Sequence, residues 1–508
     1  MAGILRSTAS NQIRLLVVMG CQFLLVPITL HALGTEAYGV YALALSVLGF
    51  LGLLELGAGT AATKYAALAR GDGDIASRNR ALSTLLAVSL ASSVLAVVLV
   101  VALALLFPRM FPIPQELRRI SVIAVLLLGA RSAILAWPAG VFRSSLIGDN
   151  RIPTANNVQI ITNIGLTITT WVFLRMGWGL LGVAASALIW FAVEAASYVV
   201  LCRWLISDFH LSLRSFDRTL LRSVASLSFS QLLMTVSGLI LLRTDPIIVG
   251  SFLPIAAVGQ YGVALKISEN VFQLAKQYVN ALSPTVARLH GAGDVAGLQA
   301  LFIRASRHST IVAGALIVGI VPWSDRLLVA WVGDAMLPAA PVMAILSLAM
   351  ALCTWQMVVS NFLTYTNQHM KTVRFTTIST VVNIVASLWL VRRLGLAGVA
   401  MGTLVSVVLV DVLYATWLGC RTMQTAWAHY WWYGPGRPAI TAIVVSTVVW
   451  TINPRLPHMN LLTAGVASSL TIACYTGVYF AALAGPEDRE KLAWQITQIR
   501  RKLRGTAR

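Results

Sequence analysis

Apolar runs of about twenty residues recur along the whole chain, each long enough to cross roughly 30 Å of hydrocarbon as a helix. Hydrocarbon offers no partner to a backbone N–H or C=O, so a spanning segment must satisfy its own bonds as a helix or close with others into a barrel. Continuous runs of this length, without strand-like alternation, read as helices. Only 11% of the 508 residues are charged and mean hydropathy is +0.79, whereas soluble domains carry about 25% charged residues. The expected fold class is therefore all-α, a polytopic membrane protein.

Fourteen apolar segments can be drawn, at 13–33, 39–63, 81–107, 120–142, 155–174, 178–202, 223–250, 259–284, 309–323, 339–364, 375–391, 395–420, 438–452 and 459–483. The ninth and thirteenth are short. The N-terminus, "MAGILRSTASNQIR", runs straight into an apolar stretch with no clear cleavage site and reads as a first span rather than a removed signal peptide. Five cysteines (21, 202, 353, 420 and 474) sit in apolar runs, without metal or disulfide spacing, and read as small core residues.

The net charge is +20. In a soluble chain that balance would point to nucleic acid; here positive-inside topology and anionic headgroups explain it, and no nucleic-acid partner is expected. With the N-terminus inside, basic residues favour one set of connections by about three to one, which places both termini in the cytoplasm. Arg14 and Arg143 fall in those inner connections. Four basic residues fall within spans instead: Arg131, Arg243, Lys266 and Lys276.

An internal repeat divides the chain. "LGTEAYGVYALAL…ALARGDGD" from Leu33 aligns without a gap to "LPIAAVGQYGVAL…ARLHGAGD" from Leu253, an offset of 220 residues that also pairs Gly39 with Gly259, Tyr41 with Tyr261, Asp74 with Asp294 and Asn163 with Asn383. "GLLGVAASAL" at Gly179 matches "GLAGVAMGTL" at Gly395 after a four-residue deletion. The offset spans an even number of segments, so both halves enter from the same side, a parallel repeat about an axis along the membrane normal. Expected are a six-helix lobe over 1–215, a second over 216–437, two peripheral helices over 438–485 and a basic cytoplasmic tail over 486–508. The repeat also identifies "LKISENVFQLAKQYVNALSPT" (265–285): despite its polarity it is the counterpart of an unmistakable second span.

On that eighth span Lys266, Glu269, Asn270, Gln273, Lys276, Gln277 and Asn280 follow helical spacing and share a stripe roughly 120° wide. A polar face must meet protein or water rather than lipid. Lys266 and Lys276 lie about 8 Å either side of the span midpoint at 1.5 Å per residue. Each centrally placed basic residue costs about 2.5–3.5 kcal/mol on insertion scales, a cost that a water-filled, anion-holding cavity would explain; snorkelling is the alternative. Arg131, Arg243, Lys266, Gln273, Lys276, Gln277 and Asn280 are the candidate cavity residues. The acids within spans are Glu55, Glu194, Asp245, Glu269 and Asp411. The plainer reading of each is charge pairing, such as Glu269 with a lysine one turn away. The functional one is ion coupling, for which Asp245, Glu269, Glu55 and Asp411 are candidates, Asp245 first because Pro246 beside it interrupts a backbone bond. "GDGD" (71–74) reads as a turn. No Walker A sequence and no histidine ligand spacing appears, so neither a metal nor a bound cofactor is expected. The tail places Leu492, Ile496, Ile499 and Leu503 on one face of an amphipathic, basic helix, which suits an anionic leaflet, although a solvated tail accounts for it nearly as well.

"LHALGTEAYGVYALALSVLGFLGLLELGAGTAATKYAA" and "LRTDPIIVGSFLPIAAVGQYGVALKISE" resemble the polysaccharide repeat-unit flippases (Wzx type) of the multidrug/oligosaccharidyl-lipid/polysaccharide exporter superfamily. The resemblance covers the whole chain in span count and two-lobe layout. It implies a V-shaped pair of six-helix lobes, a central cationic cavity and alternating access, with Arg131, Arg243, Lys266 and Lys276 as cavity cations. It implies a polyprenyl-pyrophosphate-linked oligosaccharide as cargo, a proton or sodium gradient as driving force, and other polysaccharide-assembly proteins as partners in a bacterial cytoplasmic membrane. It implies no catalytic residues. Alternatives are a cation-coupled multidrug antiporter of the same fold, whose cavity would need acids; a membrane polymerase or ligase, for which the outer connections are too short; and a scaffold for envelope assembly.

Overall fold

The computed structural model describes residues 2–55, 58–72, 74–218, 236, 238–240, 243–457, 459–485 and 489. Among them the secondary structure is helical throughout, with no strand. The principal helices are α1 (Ala2–Gly49), α2 (Ala58–Asp72), α3 (Ile75–Met110), α4 (Gln115–Ala130), α5 (Trp137–Gly148), α6 (Ile152–Arg175), α7 (Gly179–Leu205), α8 (Ile255–Gly291), α9 (Val295–Ile320), α10 (Ser324–Val332), α11 (Ala340–Tyr365), α12 (His369–Ser406), α13 (Ala415–Thr422), α14 (Trp427–Trp431), α15 (Arg437–Ile452) and α16 (Leu461–Val478). The amphipathic tail and most of the seventh segment lie outside the described residues.

Nine helical stretches among the described residues are long and apolar enough to cross a membrane, or ten if the pair 115–148, bent by 42°, counts as one span. Three physical causes separate that number from the fourteen segments drawn on the sequence. Two stretches hold two segments each, α1 bending at Gly34 (φ 73°, ψ 174°) and α12 at Gly395 (φ 58°, ψ −132°). These are left-handed or strained conformations that glycine adopts at little cost. The polar stripe leaves α8 out of the apolar set, and the seventh segment is largely undescribed. The uncovered face of α3 carries Val94, Leu95, Val98, Val101 and Leu105, a surface suited to lipid and costly in water.

The described chain forms two compact units: Met1–Val263 with Val391–Val399, and Ala264–Leu390 with Ala400–Arg508. The first holds a core of Ala62, Leu82, Leu85, Val141, Leu146 and Tyr198. Residues 391–399 join it, and Arg392 lies 5.5 Å from the Phe252 ring centroid there. The second is centred on Phe302, whose ring stacks on Tyr430 at 5.0 Å and meets Phe362 edge-on at 5.2 Å. In this unit α15 and α16 pack on α9 through Val318, Ala442, Val445 and Tyr475. Four of the cysteines are buried as read, but Cys474 is exposed; on a helix with one packed face, an apolar neighbourhood in sequence does not place a residue in the core.

The repeat is visible in local geometry. Asp74 caps α3, accepting from Ser77 N at 2.9 Å, and its counterpart Asp294 caps α9, accepting from Gly297 N at 2.7 Å; their φ/ψ angles are −82°/83° and −78°/82°. The "GDGD" aspartate is thus an N-cap. Gly179 and Gly395 both take positive φ, 52° and 58°. Within the first unit the second half of α1 crosses the start of α8 backbone to backbone. A Cβ on Gly39 would overlap the Ile255 carbonyl oxygen, and one on Gly259 would lie 2.5 Å from the carbonyl oxygen of Thr35, the repeat counterpart of Ile255. A Cβ on Gly262 would sit 3.0 Å from that of Ala42, its own counterpart. Residues that meet their own counterparts make this crossing locally two-fold.

Candidate functional site

In the first unit, Arg131 opens a π-helical turn, Arg131–Ala136, between α4 and α5. Its guanidinium lies 5.0 Å from the Phe191 ring centroid on α7, a cation–π geometry. Its Nε is buried without a hydrogen-bond partner, and it acts electrostatically on Tyr41. Arg243 runs its aliphatic stem over the backbone of Gly49, where a Cβ would lie 3.2 Å from Arg243 Cδ. Asp245, 2% exposed, accepts from Tyr261 Oη at 2.6 Å. Tyr261, the repeat counterpart of Tyr41, thus bonds an acid, while Tyr41 lies within electrostatic reach of Arg131.

Glu55 ends a 3₁₀ segment, Phe50–Glu55, that interrupts the first copy of the second span. Its carboxylate accepts from the Gly59 N–H, so it caps the start of α2, where an acid also meets the favourable end of the helix dipole.

In the second unit, α8 divides its faces cleanly. Ser268, Val271, Val279 and Val286 are buried, with Ser268 Oγ 3.1 Å from Ser347 Oγ on α11. The opposite face carries Gln273, Lys276 and Asn280, all exposed, and Asn270 and Gln277, half-buried. Lys266 Nζ bonds Glu269 Oε2 at 3.2 Å, the pairing one turn away that spacing suggests. Among the described residues Lys276 has no ion-pair or hydrogen-bond partner. Asp411 is 4% exposed in a π-helical stretch, Val407–Tyr414. Ser379 bonds its carboxyl group, and Cys353 Sγ lies 4.0 Å from Oδ2.

Sequence reasoning missed a polar knot inside the first unit. Arg14 Nη1 donates to Gln159 Oε1 at 3.1 Å, Gln159 Nε2 to Glu194 Oε1 at 3.4 Å, and Tyr198 Oη to the same oxygen at 2.9 Å. Arg143 hydrogen-bonds the Tyr198 hydroxyl. Arg14 and Arg143, counted as connection charges, sit on α1 and α5 with each Nε buried. The signal available was Glu194 and Tyr198, four apart in an apolar span, together with Gln159, whose repeat counterpart is Ser379. Glu194 and Asp411 occupy equivalent places. The offset set by Gly179 and Gly395 relates them to within one residue, and the π-helical stretch around Asp411 absorbs a one-residue insertion. Each carboxyl group on the later helix is bonded from the equivalent position on the earlier one.

The comparisons with known proteins agree with this architecture. The family model described as "Polysaccharide biosynthesis protein" matches residues 4–290. A probable low-salt glycan biosynthesis flippase, Agl15 of Haloferax volcanii, is 25% identical over 57% of this chain, and the match spans only 60% of that relative's length. The uncharacterized membrane protein EpsK of Bacillus subtilis is 21% identical over 92% of each chain. Among solved structures, the Lipid II flippase MurJ in an inward closed conformation superposes with TM-score 0.70 at 13% identity, covering 94% of this chain and 99% of that one. An inward-facing multidrug resistance transporter of the MATE family, in the MOP superfamily, gives TM-score 0.64 at 17% identity over 84% and 99%. At these identities the likeness is one of fold: a multi-pass, all-helical membrane protein built as MOP-superfamily transporters are.

Proposed function

The chain belongs to the polysaccharide biosynthesis protein family, and from that premise we propose that it is a flippase for a polyprenyl-pyrophosphate-linked oligosaccharide repeat unit. It moves the unit from the inner to the outer leaflet of a bacterial cytoplasmic membrane by alternating access, for surface-polysaccharide assembly, with both termini in the cytoplasm. The observation that carries this reading is the two-faced α8: one face buried, the other presenting exposed Gln273, Lys276 and Asn280 beside the Lys266–Glu269 pair. A pyrophosphate does not enter hydrocarbon unaided. Lysine and arginine supply charge-assisted bonds to it. Amide side chains bond sugar hydroxyls, and dispersed contacts permit release where one tight clamp would not.

Arg131, Arg243, Lys266 and Lys276 take the pyrophosphate or acidic sugars in this reading, with Gln273, Gln277 and Asn280 along the sugar. Arg131 already shows an orphaned buried donor that an anion would satisfy. Asp245, Glu269, Glu55 and Asp411 are the proposed coupling groups for a proton or sodium gradient. Asp245 and Asp411 are the most enclosed of these, 2% and 4% exposed. Movement of cargo involves no covalent step, so no catalytic residue is assigned. The same-fold alternative, export of cationic small molecules, asks for acids along the path; α8 offers two lysines to one glutamate.

Deletion with complementation tests the proposal. Loss of a surface polysaccharide with lipid-linked units accumulating on the inner leaflet is the expected result. Intact polysaccharide with altered dye efflux overturns it in favour of the antiporter.

A further inference from the structure

The polar knot of the first unit has a charge arrangement that an ordinary internal ion pair does not. Glu194 is connected to two arginines yet bonds neither: Tyr198 and Gln159 donate to its Oε1, at 2.9 and 3.4 Å, and Thr162 Oγ1 approaches Oε2 at 3.5 Å. The arginines reach it only through those neutral residues, Arg14 by way of Gln159 and Arg143 by way of Tyr198. The other acid within electrostatic reach of Arg143, Glu55, accepts from the Gly59 N–H. The two guanidiniums are close enough to act on each other as like charges. The Nε of each is buried and has no hydrogen-bond partner. A nearby bridge, from Asn156 Nδ2 to Ser10 Oγ at 3.1 Å and Asn11 Oδ1 at 2.7 Å, ties α6 to the start of α1, so the arginines project from fixed helices.

A closed structural network would direct the guanidinium forks onto the carboxylate, since a bidentate pair is the strongest arrangement available to them. Here the carboxylate is held by neutral donors and the forks keep buried N–H groups unused. Unsatisfied buried donors on neighbouring like charges are unfavourable, and an anion with several oxygens relieves both problems at once. Phosphate fits the planar guanidinium fork.

We infer that Arg14 and Arg143 form a binding site for a lipid-borne phosphate group, separate from the stripe on α8 and from Arg131 and Arg243. Two sources carry that chemistry: the pyrophosphate of an isoprenyl-linked cargo, which rests on the transport reading above, and the phosphodiester of an anionic membrane lipid, which does not.

Arginine-specific modification by phenylglyoxal on the wild-type full-length protein in detergent, mapped by peptide mass spectrometry, tests this without any variant. Farnesyl pyrophosphate and phosphatidylglycerol are the probes and diacylglycerol is the control. Protection of Arg14 and Arg143 by farnesyl pyrophosphate alone assigns the cargo; protection by phosphatidylglycerol alone assigns the headgroup. Protection by neither, or equally by diacylglycerol, overturns the inference. In direct binding, Arg14→Gln and Arg143→Gln are each expected to weaken the protecting probe at least about tenfold, the worth of one charged hydrogen bond. Arg143→Lys, which keeps the charge and loses the fork, falls between. Unchanged affinity in all three overturns the inference as well. A protein that protects these arginines with phosphatidylglycerol but exports no glycan would keep this site and break the flippase reading.

Discussion

The stretch after Gly39 and the stretch after Gly259 are two copies of one sequence plan, and they fold into different things. They share the crossing at which Gly39 and Gly259 pack against each other's helices, and they share the aspartate caps at Asp74 and Asp294. Between those points they part. The first copy breaks into a 3₁₀ segment, Phe50–Glu55, before α2, whereas the second runs unbroken as α8 from Ile255 to Gly291. Composition explains the break: Gly49, Gly52, Gly57 and Gly59 crowd the first copy, while the second has no glycine between Gly262 and Gly291. Each glycine costs about 1 kcal/mol of helix propensity relative to alanine. The polar load follows the same division. Ser46, Gly49 and Leu53 stand where α8 carries Lys266, Glu269 and Gln273. Ser46 is buried and bonds its own helix at Ala42 O; Gly49 makes room for Arg243. One copy became a jointed, packed element and the other an unbroken helix with an exposed polar face.

The two copies are most vulnerable at the point they share. Gly39→Val and Gly259→Val both place side-chain atoms inside a backbone contact, and each is expected to cost about 3 kcal/mol, the upper range for overpacking. Thermal unfolding of the purified protein would show two similar losses. A large loss in one and none in the other would contradict the local two-fold. Next come the two carboxyl groups at equivalent places. Glu194→Gln removes the charge that Tyr198 and Gln159 link to two arginines, and should cost about 2 kcal/mol. Asp411→Asn, with serine and cysteine as neighbours, should stay within about 1 kcal/mol; equal costs would mean that the arginines do not depend on Glu194. The smallest effects belong to the caps: Asp74→Ala and Asp294→Ala should each cost about 1 kcal/mol. Unequal values there would show that the copies differ already at their helix starts.

How much of this could be read beforehand depended on whether the signal was periodic. The stripe on α8 is legible because seven polar side chains at helical spacing survive in an apolar background. The repeat is legible because Gly-x-Tyr and Gly-x-Gly-Asp are rare among leucines and alanines. Arg14 and Arg143 were not legible as a pair. Counting charges along the chain assigns a basic residue near a span end to a connection, and only packing of α1, α5, α6 and α7 brings the two together. The register between Glu194 and Asp411 was hidden for a similar reason: a π-helical insertion shifts one copy by a residue, and an ungapped comparison reads the match as absent. The break at 50–55 was foreshadowed by its glycines, but an apolar run with glycines in it still satisfies a span's length and hydropathy.

In the proposed function the exposed polar face of α8, and not its packed counterpart in the first copy, carries the cargo. Translocation of a lipid-linked oligosaccharide in proteoliposomes tests it most directly, comparing Lys266→Gln/Lys276→Gln with Ser46→Ala at matched protein content. The lysine variant is expected to lose most of its translocation, about tenfold or more, while Ser46→Ala keeps it. Wild-type translocation in the lysine variant would show that the polar face of α8 does not carry the cargo.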